Sequence, residues 1–344
     1  MKKNVIYNNF SLFSALQRLQ KVKNKTLIIV NKNLKFLSTL TDGDIRRALL
    51  RKIKITDSVK SIINHKSIVT YDIKYSESVD KKFQKFKISL LPIIDKDKKY
   101  VGFHEFKRDK ISQNQFVIMA GGFGRRLGSI TKKIPKALVK VRQKPLLEHI
   151  LSKAKKENFK DIKIITYYKS ELIKKFLISN SYKNVKIYKE KRIMGTIGGI
   201  KNIATDSNNN LNYLITNCDI LTHVSYMSIL NFHISSNADL TVATQMKIVK
   251  SQFGNVRVDK RNITKFEEKP EHIENIVIGI YVLKKSTVEL LKKIKKNKID
   301  MPDFINFLIR KKKKIVPFPF VEKWFDIGNI KNLNDAKKNY YSKY

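Results

Sequence analysis

A short apolar segment that runs into a cluster of glycines is the feature that most constrains this chain. Residues 117–120 are apolar and predict a buried β-strand, and Gly121, Gly122 and Gly124 follow at once. Glycine lets backbone N–H groups approach phosphate oxygens closely, and the N-terminus of a following helix would favour the same negative charge. The spacing matches neither the dinucleotide pattern G-x-G-x-x-G nor the end of a Walker loop. A phosphate-binding turn and an ordinary tight strand-to-helix turn both stay open on the glycines alone.

The composition is that of a folded chain with a very large positive charge. Its 344 residues favour two domains, and 42% hydrophobic residues with 10% aromatics suffice for a core in each. The net charge of +43 would attract nucleic acid, anionic lipid or phosphorylated substrates. The lysines are dispersed among many Asn and Ile, as AT-rich codon usage also produces, and no nucleic-acid-binding motif accompanies them. We therefore expect no specific nucleic-acid partner.

Cysteine content and hydropathy bear on the compartment. Cys218 is the single cysteine, which excludes an intrachain disulfide and fits a reducing compartment. It lies in an apolar run, where a free cysteine is usually a small buried hydrophobe rather than a nucleophile. No apolar run is long enough to span a bilayer, and the first lysines are not followed by an apolar signal segment. The sequence thus predicts a cytoplasmic protein with no membrane partner.

Residues 1–112 contain a weak internal repeat. The segment 29–37 recurs at 93–101, an offset of 64 residues, and each copy reads as a strand, a polar turn and a strand. Apolar residues at helical spacing precede each copy, at 12–19 and 79–86, and predict amphipathic helices. We therefore expect a separate α+β module made of two similar halves.

The stretch after the first hairpin carries a resemblance to a known family. Residues 41–47 read T-D-G-D-I-R-R and look like a CBS-domain motif, so that the module resembles a tandem CBS pair. The resemblance implies that Thr41 and Asp44 bind the phosphate and ribose of an adenine nucleotide. The second copy has Glu105 and Arg108 at the equivalent positions, so one nucleotide per pair is expected. The alternative is a degenerate pair that only mediates dimerisation, and we expect a homo-oligomer through this module.

Residues 113–344 alternate between predicted strands and helices. After the glycines the predicted order is helix, strand, helix and strand, at 146–154, 162–166, 170–178 and 185–188. Such alternation predicts an α/β fold with a doubly wound, mostly parallel sheet. Ligands of such sheets bind at the carboxyl ends of the strands, which here means beside the glycines.

The wider pattern around the glycines resembles the opening signature of sugar-1-phosphate nucleotidyltransferases. Residues 119–127 read M-A-G-G-F-G-R-R-L and 134–136 read I-P-K, and the usual family form is G-G-x-G-T-R-L followed by P-K. Arg125 stands where the family usually has Thr, whereas Arg126 and Lys136 match. The resemblance implies that these two matching cations meet substrate phosphates. The residues that it assigns to the nucleotide turn are Ala120, Gly121, Gly122 and Gly124.

Three further stretches of the same resemblance bear on the nucleotide and on a metal. Gly195 and Thr196 fit a family turn that lies against the base. Asp219 ends the apolar run 214–219, and Asp326 lies in W-F-D-I-G; the resemblance implies that both ligate Mg²⁺, which prefers oxygen ligands. On the residues alone, an Asp at the end of a strand is also a common helix N-cap.

Two later stretches are implied to bind the sugar phosphate. Gly254, and then Glu268 and Lys269 before a proline, resemble the family's G-x-V and E-K-P. In that family the Glu receives sugar hydroxyls and the Lys meets the sugar phosphate. Val277 stands where relatives commonly carry Asn in N-x-G-I-Y. On the residues alone, Glu268 and Lys269 could also be an ordinary surface ion pair.

Together these resemblances imply a Mg²⁺-dependent enzyme that transfers a nucleoside monophosphate from an NTP, with GTP favoured, to a sugar 1-phosphate. The N-terminal pair, D-M-P-D at 300–303 and W-F-D-I-G at 324–328 look most like glucosamine-1-phosphate guanylyltransferases, which make a GDP-sugar for nonulosonic acid synthesis. Mannose- or heptose-1-phosphate guanylyltransferase is the alternative within the class. A catalytically inactive nucleotide sensor and a basic nucleic-acid-binding protein are the alternatives outside it.

Overall fold

The computed structural model describes residues 3–86, 88–106, 114–203 and 211–340, without the side chains of residues 248, 272 and 273. The chain divides into two compact units, Met1–Lys110 and Ile111–Tyr344. The predicted boundary at residue 112 falls in 107–113, outside the described residues. Within the described ranges, no helix is long and apolar enough to cross a membrane.

The first unit consists of short strands and amphipathic helices. β1 pairs with β2 in parallel, and β2–β3 and β4–β5 are antiparallel hairpins. Ser11 caps the start of α1, since its hydroxyl accepts a hydrogen bond from the N–H of Ser14. α1 buries Leu16 and Leu19. The elements are β1 (Val5–Tyr7), α1 (Leu12–Lys21), β2 (Thr26–Val30), β3 (Phe36–Thr41), α2 (Asp42–Leu50), α3 (Glu77–Phe86), β4 (Leu90–Ile94) and β5 (Tyr100–Glu105).

The two hairpins of the first unit are structural copies of each other. β2 and β4 begin 64 residues apart, as do β3 and β5, and both hairpins shift register at the last residue of their first strand. Their turns bond to each other: the N–H of Phe36 donates to the carbonyl of Lys98 at 2.8 Å, and that of Tyr100 to the carbonyl of Leu34 at 2.9 Å. The repeat in the sequence is therefore a repeat in the structure.

The second unit is an α/β structure. Short 3₁₀ turns at Arg125–Leu127, Lys136–Leu138 and Gly199–Asn202 supplement its helices. The elements are β6 (Gln115–Ala120), α4 (Ser129–Lys133), β7 (Lys140–Val141), β8 (Lys144–Pro145), α5 (Leu146–Lys156), β9 (Ile162–Thr166), α6 (Ser170–Ser179), β10 (Val185–Lys189), α7 (Gly195–Gly198), β11 (Asn212–Asn217), β12 (Ile220–Thr222), α8 (Tyr226–Ser235), β13 (Leu240–Lys250), β14 (Asn255–Asp259), β15 (Asn262–Glu267), β16 (Glu271–Lys284), α9 (Lys285–Lys293), α10 (Met301–Arg310), β17 (Ile315–Phe320), β18 (Trp324–Asp326) and α11 (Ile330–Asn339).

A seven-stranded sheet forms the centre of the second unit. Its strand order is β10-β9-β6-β11-β16-β13-β17. β16 runs antiparallel to its neighbours β11 and β13, and the remaining neighbours pair in parallel, so six strands point the same way. The predicted α/β fold with a mostly parallel sheet is confirmed. The carboxyl ends of β6, β9, β10 and β11 consequently lie along one edge.

Hydrophobic side chains cover both faces of this sheet. Along β6, Phe116 and Ile118 point into one cluster of buried residues and Val117 into the other, as the alternation of a strand requires. Residues three and four apart on each flanking helix fill the two clusters. On one face these are Leu147, Ile150, Leu151 and Ala154 of α5, and on the other Met301, Phe304 and Leu308 of α10. The sheet is therefore held rigidly from both sides.

The helical turns between the glycines and the helix predicted at 146–154 are short. A three-residue 3₁₀ turn is followed by α4, which has only five residues. α4 ends at Lys133. Ile134 is extended because Pro135 follows, and a residue before proline is disfavoured in the α conformation. The first long helix, α5, begins only at Leu146. The helix predicted at 146–154 is therefore confirmed as α5, and the five residues of α4 can supply only a weak helix dipole at the turn.

Candidate active site

The glycine turn after β6 is shaped by close contacts. Gly124 has a φ of 67°, and a Cβ there would lie 2.8 Å from Cγ2 of Thr131 and 3.2 Å from Cβ of Lys136. The hydroxyl of Thr131 donates to the carbonyl of Gly124 at 2.9 Å and fixes the turn. A Cβ at Gly122, by contrast, would meet no described heavy atom within 4 Å. That side of the turn is therefore open to a ligand.

The two predicted metal ligands lie side by side. Asp219 lies in the tight turn between β11 and β12, and Asp326 is the last residue of β18. β12 and β18 pair antiparallel, with Ile220 opposite Asp326, and the N–H of Ile327 donates to the carbonyl of Asp219 at 3.0 Å. The pairing brings the two carboxylates together at the carboxyl edge of the sheet.

Lys136 joins this acidic pair. Its ammonium group donates a hydrogen bond to Oδ2 of Asp219, and the two side chains are only 11% and 16% exposed. Its backbone lies in a 3₁₀ turn that begins after Pro135, whose φ is −67°. Oδ1 of Asp219 is buried and has no hydrogen-bond partner among the described residues. Such an oxygen is costly to bury, so it marks a place for a further donor or a cation.

Arg126 approaches the same pair from the glycine turn. A Cβ at Gly328 would lie 3.2 and 3.3 Å from the carboxylate oxygens of Asp326 and 3.4 Å from Nη2 of Arg126. Burial and the negative charge of Asp219 raise the pKa of Asp326, whereas the positive charges of Lys136 and Arg126 oppose that rise. Two acidic and two basic side chains thus form one electrostatically coupled cluster, which we call the charged cluster, beside the glycine turn.

The acidic pair suits a hard divalent cation. Mg²⁺ is commonly held by one or two carboxylates, with water and substrate phosphates as its remaining ligands. Asp219 and Asp326 offer two carboxylates, and the unpartnered Oδ1 of Asp219 is an atom that a cation would satisfy. In the part of the chain that the structure describes, no group of three or more His, Cys, Asp or Glu is arranged to hold a metal. The residues therefore fit a Mg²⁺ ion that shares ligands with a substrate.

Glu190 lies on the other side of the glycine turn, and sequence reasoning missed it. It follows β10, and its N–H donates to the carbonyl of Thr166 at 2.8 Å. Its Oε2 lies 3.0 Å from the position of a Cβ on Gly121, and its Oε1 is buried with no hydrogen-bond partner in the described ranges. Burial raises the pKa of Glu190 to about 7, although a hydrogen bond from the backbone of Met194 acts to lower this pKa. In the sequence it stands within K-E-K-R, which reads as surface charge.

The turn predicted to meet the base is tied to the start of α10. Gly195 has a φ of 87°, and a Cβ there would lie 2.7 Å from the carbonyl carbon of Ile299, so only glycine fits. The N–H of Thr196 donates to Oδ1 of Asp300 at 2.9 Å. The hydroxyl of Thr196 accepts a hydrogen bond from the N–H of Met301 at 2.7 Å. Thr196 therefore caps α10 and connects this turn to the D-M-P-D segment.

The predicted sugar-binding residues lie on and beside the hairpin of β14 and β15. Gly254 precedes the hairpin and Glu268 follows it, and a Cβ at Gly254 would lie 3.0 Å from Oε2 of Glu268. Lys269 has a φ of 41°, a left-handed conformation that is rare for a residue before proline. Val277 lies on β16, near a register shift against β13, and is 47% exposed. The structure thus groups Gly254 with Glu268 and leaves Val277 on an exposed stretch of the adjoining strand.

In the first unit, Thr41 and Asp44 form a capping box at the start of α2. The N–H and hydroxyl of Thr41 donate to Oδ2 of Asp44 at 2.8 and 2.6 Å, and Nη2 of Arg47 donates to Oδ1 at 2.6 Å. Both carboxylate oxygens are therefore engaged within the helix. A nucleotide that used Asp44 would have to exchange one of these bonds for its own. Arg108, the counterpart of Asp44 in the second copy, lies outside the described residues.

With this geometry established, comparison with known proteins gives a consistent result. The chain matches the model of the nucleotidyl transferase family over residues 115–343. It is 32% identical over 176 residues to D-glycero-alpha-D-manno-heptose 1-phosphate guanylyltransferase of Aneurinibacillus thermoaerophilus, and the alignment covers 50% of this chain and 76% of the relative. It is 28% identical over 227 residues to mannose-1-phosphate guanyltransferase of Yarrowia lipolytica, and the alignment covers 63% of this chain and 61% of the relative.

A solved structure agrees on the fold of the second unit. The crystal structure of HddC from Yersinia pseudotuberculosis superposes with a TM-score of 0.52 at 23% identity. The superposition covers 66% of this chain and 99% of HddC. At this identity the likeness establishes the fold alone.

Proposed function

This chain belongs to the nucleotidyl transferase family of enzymes, and from that premise we propose that it transfers a nucleoside monophosphate from an NTP to a sugar 1-phosphate and releases pyrophosphate. The observation that carries the proposal is the charged cluster. It places Arg126 and Lys136 beside two carboxylates at a glycine turn that is open to a ligand. Two relatives act on sugar 1-phosphates, as their names state, which supports the substrate class.

The reaction brings two anions together, so positioning and charge neutralisation lower its barrier. An oxygen of the sugar phosphate forms a bond to the α-phosphorus of the NTP while the bond from that phosphorus to pyrophosphate breaks. The sugar phosphate is already ionised near neutral pH, so no side chain is required as a general base. When bound, Mg²⁺ supplies positive charge to the phosphate oxygens.

Each member of the charged cluster has a role in this scheme. Arg126 presents a planar fork of donors to phosphate oxygens, and Lys136 supplies a compact charge on the pyrophosphate side. Asp219 and Asp326 would hold Mg²⁺ through their carboxylate oxygens. Lys269, from the hairpin, would meet the attacking sugar phosphate. Loss of one such charge should lower turnover by ~10²–10³-fold, by analogy with the loss of an oxyanion donor.

Glu190 supports GTP as the favoured nucleotide. Guanine carries two adjacent donors, N1–H and the N2 amino group, on one edge, and an ionised carboxylate offers two acceptors. Uracil and thymine present one N–H between two carbonyls, and adenine presents an acceptor beside an amino group, so neither matches a carboxylate as well. Because Glu190 is buried beside Gly121 with Oε1 unpartnered among the described atoms, a base that supplies donors there would remove an energetic cost.

The observations support the class of reaction more specifically than the identity of the sugar. Glucosamine 1-phosphate is favoured by the motif resemblance, while heptose and mannose 1-phosphates have equal support from the two relatives. Glu268 beside Gly254 would receive sugar hydroxyls. The exposed Val277 adds an apolar contact where an amide side chain would add a hydrogen bond, so it favours no particular hydroxyl pattern.

The first unit has a proposed regulatory role that rests on its CBS resemblance and its structural repeat. It would bind one adenine nucleotide at Thr41 and Asp44 and join two chains. A regulatory ligand must bind the active and inactive states unequally, since equal affinity shifts no population.

The deciding experiment is pyrophosphate release from a grid of four NTPs against glucosamine, mannose and heptose 1-phosphates. Signal with GTP and one of the three sugars is the expected result. The Asp326→Asn variant is the background control, since it keeps the shape of the side chain and removes its charge. Nucleotide binding without turnover anywhere in the grid would instead support the inactive sensor.

A further inference from the structure

Lys136 makes a contact that the reaction scheme does not use. The ammonium group of Lys136, which the reaction scheme assigns to a substrate phosphate, here donates to Asp219, a proposed metal ligand. Both side chains are largely buried. The other oxygen of Asp219 has no partner in the described structure, and Asp326 lies on the adjacent strand. One positive charge thus lies against two neighbouring carboxylates that would otherwise repel each other in a site partly shielded from water.

We propose that Lys136 is an internal counter-cation: in the nucleotide-free protein it occupies the carboxylate that a divalent cation requires, and metal-bound nucleotide displaces it onto a substrate phosphate. This inference rests on the proposed function, because that function requires both the cation and the phosphate.

The chain around Lys136 is suited to such an exchange. Its backbone is fixed: the N–H of Leu138 donates to the carbonyl of Pro135 at 2.9 Å, and that of Val139 to the carbonyl of Lys136 at 3.0 Å. Its Cβ lies against Gly124, as the 3.2 Å separation from a Cβ placed there demonstrates. The flexible four-carbon side chain of lysine can therefore turn from Asp219 towards the glycine turn without movement of the backbone.

The charges determine the order of events. Displacement of Lys136 by a free divalent ion leaves a desolvated ammonium group without a partner, which is unfavourable. A nucleotide removes this cost, because its phosphates offer the ammonium group a new anion and the metal additional ligands. The protein should therefore bind free divalent ions weakly and bind them much more tightly together with a nucleotide.

Metal binding to the whole protein, without turnover, tests this inference. Mn²⁺ serves as the probe, with free Mn²⁺ counted by electron paramagnetic resonance in the absence of nucleotide. Lys136→Met should bind Mn²⁺ about tenfold more tightly than the wild type, because the competing cation is gone. Lys140→Met removes the same charge from an exposed lysine nearby, and screening should limit its effect to less than about twofold. An affinity in Lys136→Met equal to or weaker than that of the wild type would overturn the proposal.

A second measurement needs no substitution and covers the case in which Lys136→Met does not fold. The wild type is labelled with limiting acetic anhydride, and the modification of Lys136 relative to Lys140 is read by peptide mass spectrometry. Saturating Mn²⁺ should raise that ratio, since the displaced amine no longer donates to Asp219. An unchanged ratio would contradict the exchange.

The two proposals fail separately. If the wild type releases pyrophosphate but Lys136→Met binds Mn²⁺ no more tightly than the wild type, the transferase proposal stands and the counter-cation proposal is rejected. If Lys136→Met binds Mn²⁺ more tightly but the wild type shows no turnover anywhere in the substrate grid, the counter-cation proposal stands and the transferase proposal is rejected.

Discussion

Asp219 and Asp326 are 107 residues apart in the chain, yet the backbone N–H that follows Asp326 donates to the carbonyl of Asp219 at 3.0 Å. The contact depends on the antiparallel pair β12–β18, which joins the turn after a central strand to the last strand of the chain. The acidic pair therefore exists only when the far end of the unit is docked. Loss of β18 would remove one carboxylate and the partner strand of the other.

The first prediction concerns these carboxylates. Asp326→Asn and Asp219→Asn should each lower turnover by ~10²–10³-fold, because each removes a negative ligand for the cation without a change of side-chain shape. Asp326→Asn should change the melting temperature little, since it also relieves repulsion from Asp219. The control is Asp335→Asn, an exposed carboxylate on α11. Full turnover in either variant at the acidic pair would remove the metal role.

The second prediction separates two adjacent arginines. Arg126 borders Asp326 across Gly328, whereas the guanidinium of Arg125 lies 5.1 Å from the centre of the Phe123 ring. Arg126→Ala should lower turnover by ~10²-fold or more, because the planar fork of donors to the phosphate is lost. Arg125→Thr should stay near the wild-type rate, with at most a small effect from the lost ring contact. An inactive Arg125→Thr beside an active Arg126→Ala would reverse the assignment.

Local sequence patterns correctly predicted several strands and helices and the repeated hairpins. The strand before the glycines, helix α5 and strands β9 and β10 follow from apolar spacing, and all occur near the predicted positions. The 64-residue repeat also appears in the structure, because identical spacing of strands and turn gives identical hairpins. Directly after the glycines only short helical turns form, and Pro135 prevents the continuation of α4.

Contacts over long range could not be read from the sequence. Glu190 looked like surface charge, and its burial depends on glycines at 121 and 199 that leave room for its carboxyl group. The hydroxyl of Thr196 caps a helix about one hundred residues later, which no local pattern reveals. The family resemblance implied that Lys136 meets a substrate phosphate and gave no indication that it bonds to Asp219. In each of these contacts at least one partner is distant in the sequence.

The third prediction concerns the first unit. Asp44→Ala should abolish binding of AMP and ATP, measured by calorimetry, if Asp44 holds the ribose as proposed. It should also destabilise α2 by about 1 kcal/mol, since the capping box is lost. The matched control is Asp57→Ala, which also removes a hydrogen-bonded carboxylate from this unit. Unchanged nucleotide binding in Asp44→Ala, or no binding in the wild type, would leave the capping box as the only role of this residue.

The last prediction joins base selection to pH through Glu190. Its pKa of about 7 means that about a tenth of the group is ionised at pH 6 and about nine tenths at pH 8. Only the ionised form accepts both guanine donors, so KM for GTP should fall by up to about tenfold between these pH values and level off above them. Glu190→Gln cannot titrate, so this contribution should vanish. Its amide has one acceptor group and one donor group, so the preference for GTP over UTP, dTTP and ATP should weaken. The titration of GTP itself affects both proteins equally, so the difference between their profiles isolates the side chain. Parallel profiles, together with an unchanged preference for GTP in Glu190→Gln, would show that Glu190 does not contact the base.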